Sequence, residues 1–261
     1  LVSEPYDPDN LLDRRSDPAT LQVHYDQEHR RERELLQAWL GLAGGDVLSV
    51  GCGWQPGRHL FPRPAWRMTG ADLNSDMVRS LAASGEIDAA VEGRAGELPL
   101  DDSSFDVVLY RLALHHIAYQ GPLAPCFQEA ARLLRPGGAL VAIEPGLWHP
   151  VGAGLALANR AGLGVRTHGT PDDIPLSPRA MVRESRAVGL RPELHTVTFG
   201  WRRLPRSAQR ALHRLDRFGS RPRLAPLGHT LLLIARRYST TGRPKSGSTN
   251  AGPFAAQPSR S

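Results

Sequence analysis

V-L-S-V-G-C-G-W-Q-P-G, residues 47–57, sets a short apolar run (Val47, Leu48, Val50) against glycines at 51, 53 and 57. A buried strand that turns tightly out of a sheet has this form. Gly51 and Gly53 let the backbone adopt conformations, or approach a ligand at distances, that a Cβ would forbid. Taken alone the pattern fits an ordinary glycine turn equally well, so the flanking sequence has to decide.

Downstream, short apolar runs alternate with helical patterns. The expected strands are Asp46–Val50, Arg67–Ala71 ending at Asp72, Ala89–Val91, Val107–Leu109 and Ala139–Ile143. Between them, Ser75 as N-cap opens a helix with Met77, Val78 and Leu81 on one face and Gly85 as its stop. Leu112–Ile117 carries His115 and His116, and Leu123–Leu134 is amphipathic. The segment after the glycine turn is a poor helix, crowded by Pro56, Pro62 and Pro64. Such alternation predicts βαβ crossovers and a mostly parallel sheet covered on both faces. Ligands of such sheets sit at the carboxyl ends of the strands, where Asp72, Tyr110, Arg111 and Glu144 fall.

Upstream, residues 1–20 hold Pro5, Pro8, Pro18 and four aspartates and read as an irregular arm. His24–Leu42 reads as a helix of mixed charge with an apolar stripe at Leu35, Leu36, Trp39 and Leu40. Beyond Gly146 the pattern loosens. Val151–Leu163 and Ser177–Val188 are expected helices around a loop at 164–178, and Leu194–Phe199 and His229–Ala235 are expected strands. Leu204–Phe218 is an amphipathic helix whose outer face carries arginines 206, 210, 214 and 217. Residues 239–261, rich in Ser, Thr, Gly and Pro, read as a disordered tail.

Composition narrows the function classes. The 261 residues are 41% apolar, and the longest apolar stretch, Val151–Leu157, is too short to span a bilayer. Two cysteines, 52 and 126, lie far apart without metal-type partners, and the acidic start is unlike a signal peptide, so a reduced, cytoplasmic protein with no metal is expected. The net charge of +6 is uneven: residues 200–261 hold thirteen Lys/Arg against Asp216 alone. That end is either a solvated arginine-rich face or a surface for an anionic partner.

Four segments in order now resemble the class I S-adenosylmethionine-dependent methyltransferases of the small-molecule type. They are V-L-S-V-G-C-G; M-T-G-A-D-L-N-S-D-M; G-R-A-G-E-L-P-L-D-D-S-S-F-D-V-V-L; and A-R-L-L-R-P-G-G-A-L-V-A-I-E-P. The resemblance covers residues 21–145 well and 177–237 more weakly. It implies a Rossmann-like, doubly wound, seven-stranded sheet with an antiparallel C-terminal strand and an N-terminal helical extension. The methyltransferase domain would span 21–238, with a cofactor-binding half at 46–145 and variable acceptor and lid segments at 146–227.

The resemblance also implies roles. Gly51, Cys52 and Gly53 would lie against the methionine part of S-adenosyl-L-methionine, and Asp72 would accept the ribose hydroxyls; a helix cap is the lesser alternative for Asp72, since Ser75 already does that job. Leu73 and Met77 would flank the adenine, Glu97 or Glu92 or the Ala95 backbone alone would recognise it, and Arg111 would be a further cofactor-binding residue. Methyl transfer needs in-line positioning and, for a protic nucleophile, a base. The candidates are His116 first, then His115 and Glu144, with His149 and His168 in the variable segment and Tyr25 over the methionine end. The His115–His116 pair also fits a structural helix start.

Three departures from the family pattern stand out. Ser49 replaces an acid two positions before the first glycine, Trp54-Gln55-Pro56 lengthen the turn, and Arg94 stands where an aspartate would accept from the adenine amino group. They keep open a second reading, a non-methylating member of the fold. A third, a nucleic-acid methyltransferase using the basic end, is disfavoured because Leu109-Tyr110-Arg111-Leu112 lacks the Asn/Asp-Pro-Pro-aromatic segment of base-amino methylation. The expected partner is a small-molecule acceptor, of acidic character if residues 202–223 form a lid over it, with no membrane.

Overall fold

The computed structural model describes residues 18–163 and 174–238. His168, most of the arm, the 164–173 part of the expected loop and the 239–261 tail lie outside them. Seven strands form one sheet: β1 Gly45–Val50, β2 Trp66–Asp72, β3 Ala89–Glu92, β4 Phe105–Arg111, β5 Leu134–Pro145, β6 Arg191–Thr198 and β7 Thr230–Arg236, in the order β3-β2-β1-β4-β5-β7-β6. β1 pairs in parallel with β2 and β4, as do β2 with β3 and β4 with β5. β7 inserts antiparallel between β5 and β6. Strand order therefore reverses between β1 and β4, and their carboxyl ends frame a crevice.

Runs without a polar break become the central strands because both faces of the sheet are covered. Val107–Leu109, Val141 and Leu231–Ala235 have no measurable or barely any exposure. Truncating such a leucine to alanine typically costs about 2–5 kcal/mol. One face packs Leu48, Val50, Tyr110 and Leu140 against Leu114, Phe127, Leu133 and Met181 of helices α3 (Leu114–Gln120), α4 (Ala124–Leu133) and α6 (Pro178–Ala187). The other packs Val47, Met68, Leu109 and Val141 against Leu35, Leu36, Val78 and Leu81 of α1 (Pro18–Trp39) and α2 (Ser75–Ala83).

Several boundaries differ from expectation for identifiable reasons. α1 is already helical at Pro18, ahead of the expected His24, and ends at Trp39. Residues 51–65 form turns and no helix. Leu60 and Phe61 of this crossover join the core together with α1 residues, so α1 covers the face that a crossover helix would. The cap of α2 is Asn74, whose side chain accepts from the Met77 N–H, and not Ser75. β5 reaches back to Leu134 through the expected Arg135–Gly138 turn. Gly138 is required there, since a Cβ would come within 2.7 Å of the Asp106 carbonyl oxygen. Helices α5 (Pro150–Arg160) and α7 (Arg206–Leu215) complete the chain, the latter followed by a 3-10 turn at Asp216–Phe218.

Candidate active site at the carboxyl ends of the strands

The glycine turn leaves β1 with Gly51 at φ +61° and Gly53 at φ +50°. Gly51 has no room for a larger residue: a Cβ would lie 2.9 Å from that of Ala113. The Gly51 N–H donates to the Ala71 carbonyl at 2.8 Å, which ties the turn to the end of β2. Beyond it, Asp72 holds two elements together. Its Oδ2 accepts from the Gly53 N–H at 3.2 Å and its Oδ1 from the Asn74 N–H at 3.1 Å. The carboxylate stays half-exposed, and each oxygen keeps a lone pair for a further donor.

The lengthened turn projects outward. Trp54 is 67% exposed, and the Gln55 N–H closes back on the Cys52 carbonyl. The Cys52 thiol is buried, and burial with the nearby Asp72 charge pushes it up to about 12, which makes it an inert packing group. Leu73 presents its side chain to solvent at 60% exposure beside Asp72, whereas Met77 is buried against the sheet. Across the crevice, the Tyr110 hydroxyl donates to the Ala95 and Cys126 carbonyls and so fixes the link after β3. Glu97 and Arg94 are exposed there and pair through their backbones. Ser49 is buried within β1.

Glu144 is fully buried, and its bonds run to the chain itself. Oε1 accepts from the Ala113 and Leu114 N–H groups at 3.0 and 2.8 Å, and Oε2 lies 2.7 Å from His115 Nδ1. This carboxylate satisfies the first amides of α3, as an acid at a helix start does. It also anchors a backbone that passes through Leu112 at φ +55°, a conformation unusual for a branched residue. Of the three expected catalytic groups, His115 and Glu144 are thus locked to each other. His116 alone is part-exposed, its ring 4.0 Å from that of His115.

The sequence reading missed the contribution of α1. Its charged residues look solvent-facing, yet His24, His29 and Glu32 are buried. Glu32 lies 3.5 Å from Arg111 and 3.2 Å from His59. Burial alone would raise its carboxyl, but Arg111, His59 and His29 outweigh that and hold it below the usual range. Arg111, expected at the cofactor, thus pins α1 across the glycine turn. The signal was available: Leu21, His24, Glu28, Glu32, Leu35 and Leu36 share one helical face with the apolar stripe. His29, Glu32 and His59 could bring one ligand atom each within 4.8 Å of one another. Arg111 already occupies the Glu32 carboxylate, and its positive charge opposes a cation there.

A second group of side chains lies above β5, β6 and β7. His149 caps α5, its Nδ1 accepting from the Val151 N–H at 3.3 Å. Its ring stands edge-on to His229 at 5.2 Å. Tyr25 on α1 accepts from Arg202 at 3.2 Å rather than standing alone over the crevice. On α7 the basic residues face outward, while Gln209 is buried and bonds the Arg202 and Leu204 carbonyls. Asp216 beneath it accepts from the Phe199 N–H, and burial raises its carboxyl to about 7. Among the described residues no helix is long and apolar enough to cross a membrane.

Residues 48–142 match the family described as a methyltransferase domain. A Mycolicibacterium smegmatis protein named "Probable S-adenosylmethionine-dependent methyltransferase" is 36% identical over 103 residues, 40% of this chain and 39% of the relative. The demethylmenaquinone methyltransferase of Staphylococcus aureus is 30% identical over 125 residues, 45% and 51% of the two chains. The chain thus spans about half or less of these relatives' lengths. A solved structure, geranyl diphosphate C-methyltransferase of Streptomyces coelicolor with Mg2+, a substrate analogue and S-adenosyl-L-homocysteine, superposes with a TM-score of 0.56 at 19% identity, covering 90% of this chain and 94% of that one.

Proposed function

Taking as premise that residues 48–142 are a class I S-adenosylmethionine-dependent methyltransferase domain, we propose that this chain methylates a small-molecule acceptor. The observation that carries the proposal is the Asp72 carboxylate, set between the Gly53 and Asn74 amides beside a positive-φ glycine turn. Gly51 and Gly53 supply the close-approach backbone, Asp72 the acceptors for a vicinal diol, and exposed Leu73 an apolar wall for a purine. Ala95 offers backbone groups across from that wall, with Glu97 as an exposed acceptor near Arg94. S-adenosylmethionine, when bound, supplies an electrophilic methyl group on a sulfonium.

The remaining residues position. Glu144 and His115 hold the start of α3, and Arg111 with Glu32 holds α1 over the turn. A small acceptor is supported by the similarity to demethylmenaquinone methyltransferase. Ser49 and Arg94 favour a weaker grip on the cofactor rather than its loss, since neither removes Asp72 or the glycine turn. Calorimetry with S-adenosylmethionine and S-adenosylhomocysteine tests the reading. Saturable binding of both is expected; absence of heat for both refutes it.

A further inference from the structure

We infer that His229 is the proton acceptor of this site and that the acceptor it serves is an acidic hydroxyl, a phenol or an enol. The inference rests on the methyltransferase reading above and extends it to a residue outside the cofactor half.

The backbone of His229 is fixed from both sides. Its N–H donates to the Thr198 carbonyl at the end of β6, and its carbonyl accepts from the Gly146 N–H after β5. Gly228 before it admits no side chain, because a Cβ would fall 2.5 Å from a Thr196 methyl carbon. The imidazole therefore projects from the first position ahead of β7, at the carboxyl edge of β5, and it keeps some solvent access.

Hydrogen-bond accounting then sets its tautomer. The Thr230 hydroxyl donates its one proton to Glu28 Oε1 at 2.6 Å, and Glu28 is held from the other side by His24 at 3.5 Å. That hydroxyl stands 3.3 Å from His229 Nδ1 and has only lone pairs left to offer. Nδ1 must carry the proton, so Nε2 is the basic nitrogen. A carboxylate acting through a hydroxyl thus orients an imidazole as a base, the ordering logic of a catalytic triad with a threonine interposed.

His149 is held in another way: its Nδ1 accepts from the Val151 N–H and caps α5. The groups facing His229 are His149 after β5, His24 and Glu28 from α1, and Arg202 after β6. Burial first, then His149, His24 and Arg202, hold the imidazole well below its ordinary value. An imidazole is in any case a far weaker base than an alkoxide. A weak base can take a proton only from an acceptor that is itself acidic. Arg202, held at the Tyr25 hydroxyl, is the cation among the groups that act on His229. In the step, the acceptor's O–H bond breaks and the proton passes to Nε2. The electron pair left on oxygen forms the new O–CH3 bond as the C–S bond breaks towards sulfur, and the imidazolium later releases its proton to solvent.

Two readouts test this on the full chain. Nitrogen-15 NMR of the histidines should give His229 as the Nδ1–H tautomer at pH 7, shifting towards Nε2–H in Thr230→Val. In a tritiated-methyl assay, 4-nitrophenol and 4-hydroxycoumarin should accept while cyclohexanol and benzylamine do not. His229→Gln should lower kcat about 100-fold and Thr230→Val about tenfold, each with S-adenosylhomocysteine binding retained. An Nε2–H tautomer in the wild type, transfer to the amine or to neither hydroxyl probe, or an undiminished kcat in His229→Gln overturns the inference. Failure of the wild type to bind S-adenosylhomocysteine strikes the methyltransferase reading instead.

Discussion

The two ends of the crevice are built on different principles. Above β1 and β2 the site is mostly backbone: a positive-φ glycine turn, a row of amides and one carboxylate, Asp72, that ties them together. Above β5, β6 and β7 it is mostly side chains: His24, Glu28, His149, Arg202 and His229, gathered from four separate segments. Backbone sites depend on a local pattern of glycines, which one stretch of sequence can encode. Side-chain sites depend on long-range packing. The glycine end should therefore respond to changes in shape, and the histidine end to changes in charge and protonation.

The largest expected effect lies where the two ends meet. Glu32→Ala leaves Arg111 buried without its carboxylate, and the loss of stability should be about 3–5 kcal/mol, measured by urea unfolding. A change under about 1 kcal/mol would mean that α1 does not hold the crevice together. Next comes Asp216. Its carboxyl is raised from 3.8 to about 7 by burial, so the folded state binds the extra proton between those values, and this contribution to stability is lost as pH rises towards and past 7. Asp216→Asn should gain on the wild type by roughly 2–3 kcal/mol between pH 5 and pH 8. A stability difference that stays flat across that range would contradict the assignment.

At the glycine end, Gly51→Ala should cost about 1–2 kcal/mol from the left-handed backbone alone, with a further cost from the 2.9 Å approach to Ala113. It should also weaken S-adenosylhomocysteine more than it weakens the fold. Equal affinity in the variant would separate the turn from the cofactor. The smallest effect is expected at Arg94, which is exposed and carries only donors. Arg94→Asp should tighten S-adenosylhomocysteine a few-fold by calorimetry while leaving unfolding unchanged.

This contrast also explains what the sequence could tell. The sheet, its parallel core and the Asp72 position were readable because apolar runs, glycines and a strand-end acid lie in consecutive residues. The antiparallel direction of the last strand followed from the resemblance and not from its residues. Asn74 went unseen as the cap because Ser75 is an equally good cap by type, and only the backbone decides between them. The poor helix expected after the glycine turn is a run of turns, since prolines 56, 62 and 64 crowd it. Glu32 looked like solvent-facing charge, and Glu144 like a free base, because their partners Arg111 and the α3 amides are distant in sequence. His229 drew no notice as a site residue: it stands alone beside Thr230, and Glu28 lies some two hundred residues away.

The most direct measurement is amide hydrogen exchange with and without S-adenosylhomocysteine. Binding at the glycine turn predicts protection concentrated in residues 51–57 and 72–77, abolished by Asp72→Ala. Protection confined to other segments, or unchanged exchange at a saturating concentration of S-adenosylhomocysteine, would contradict it.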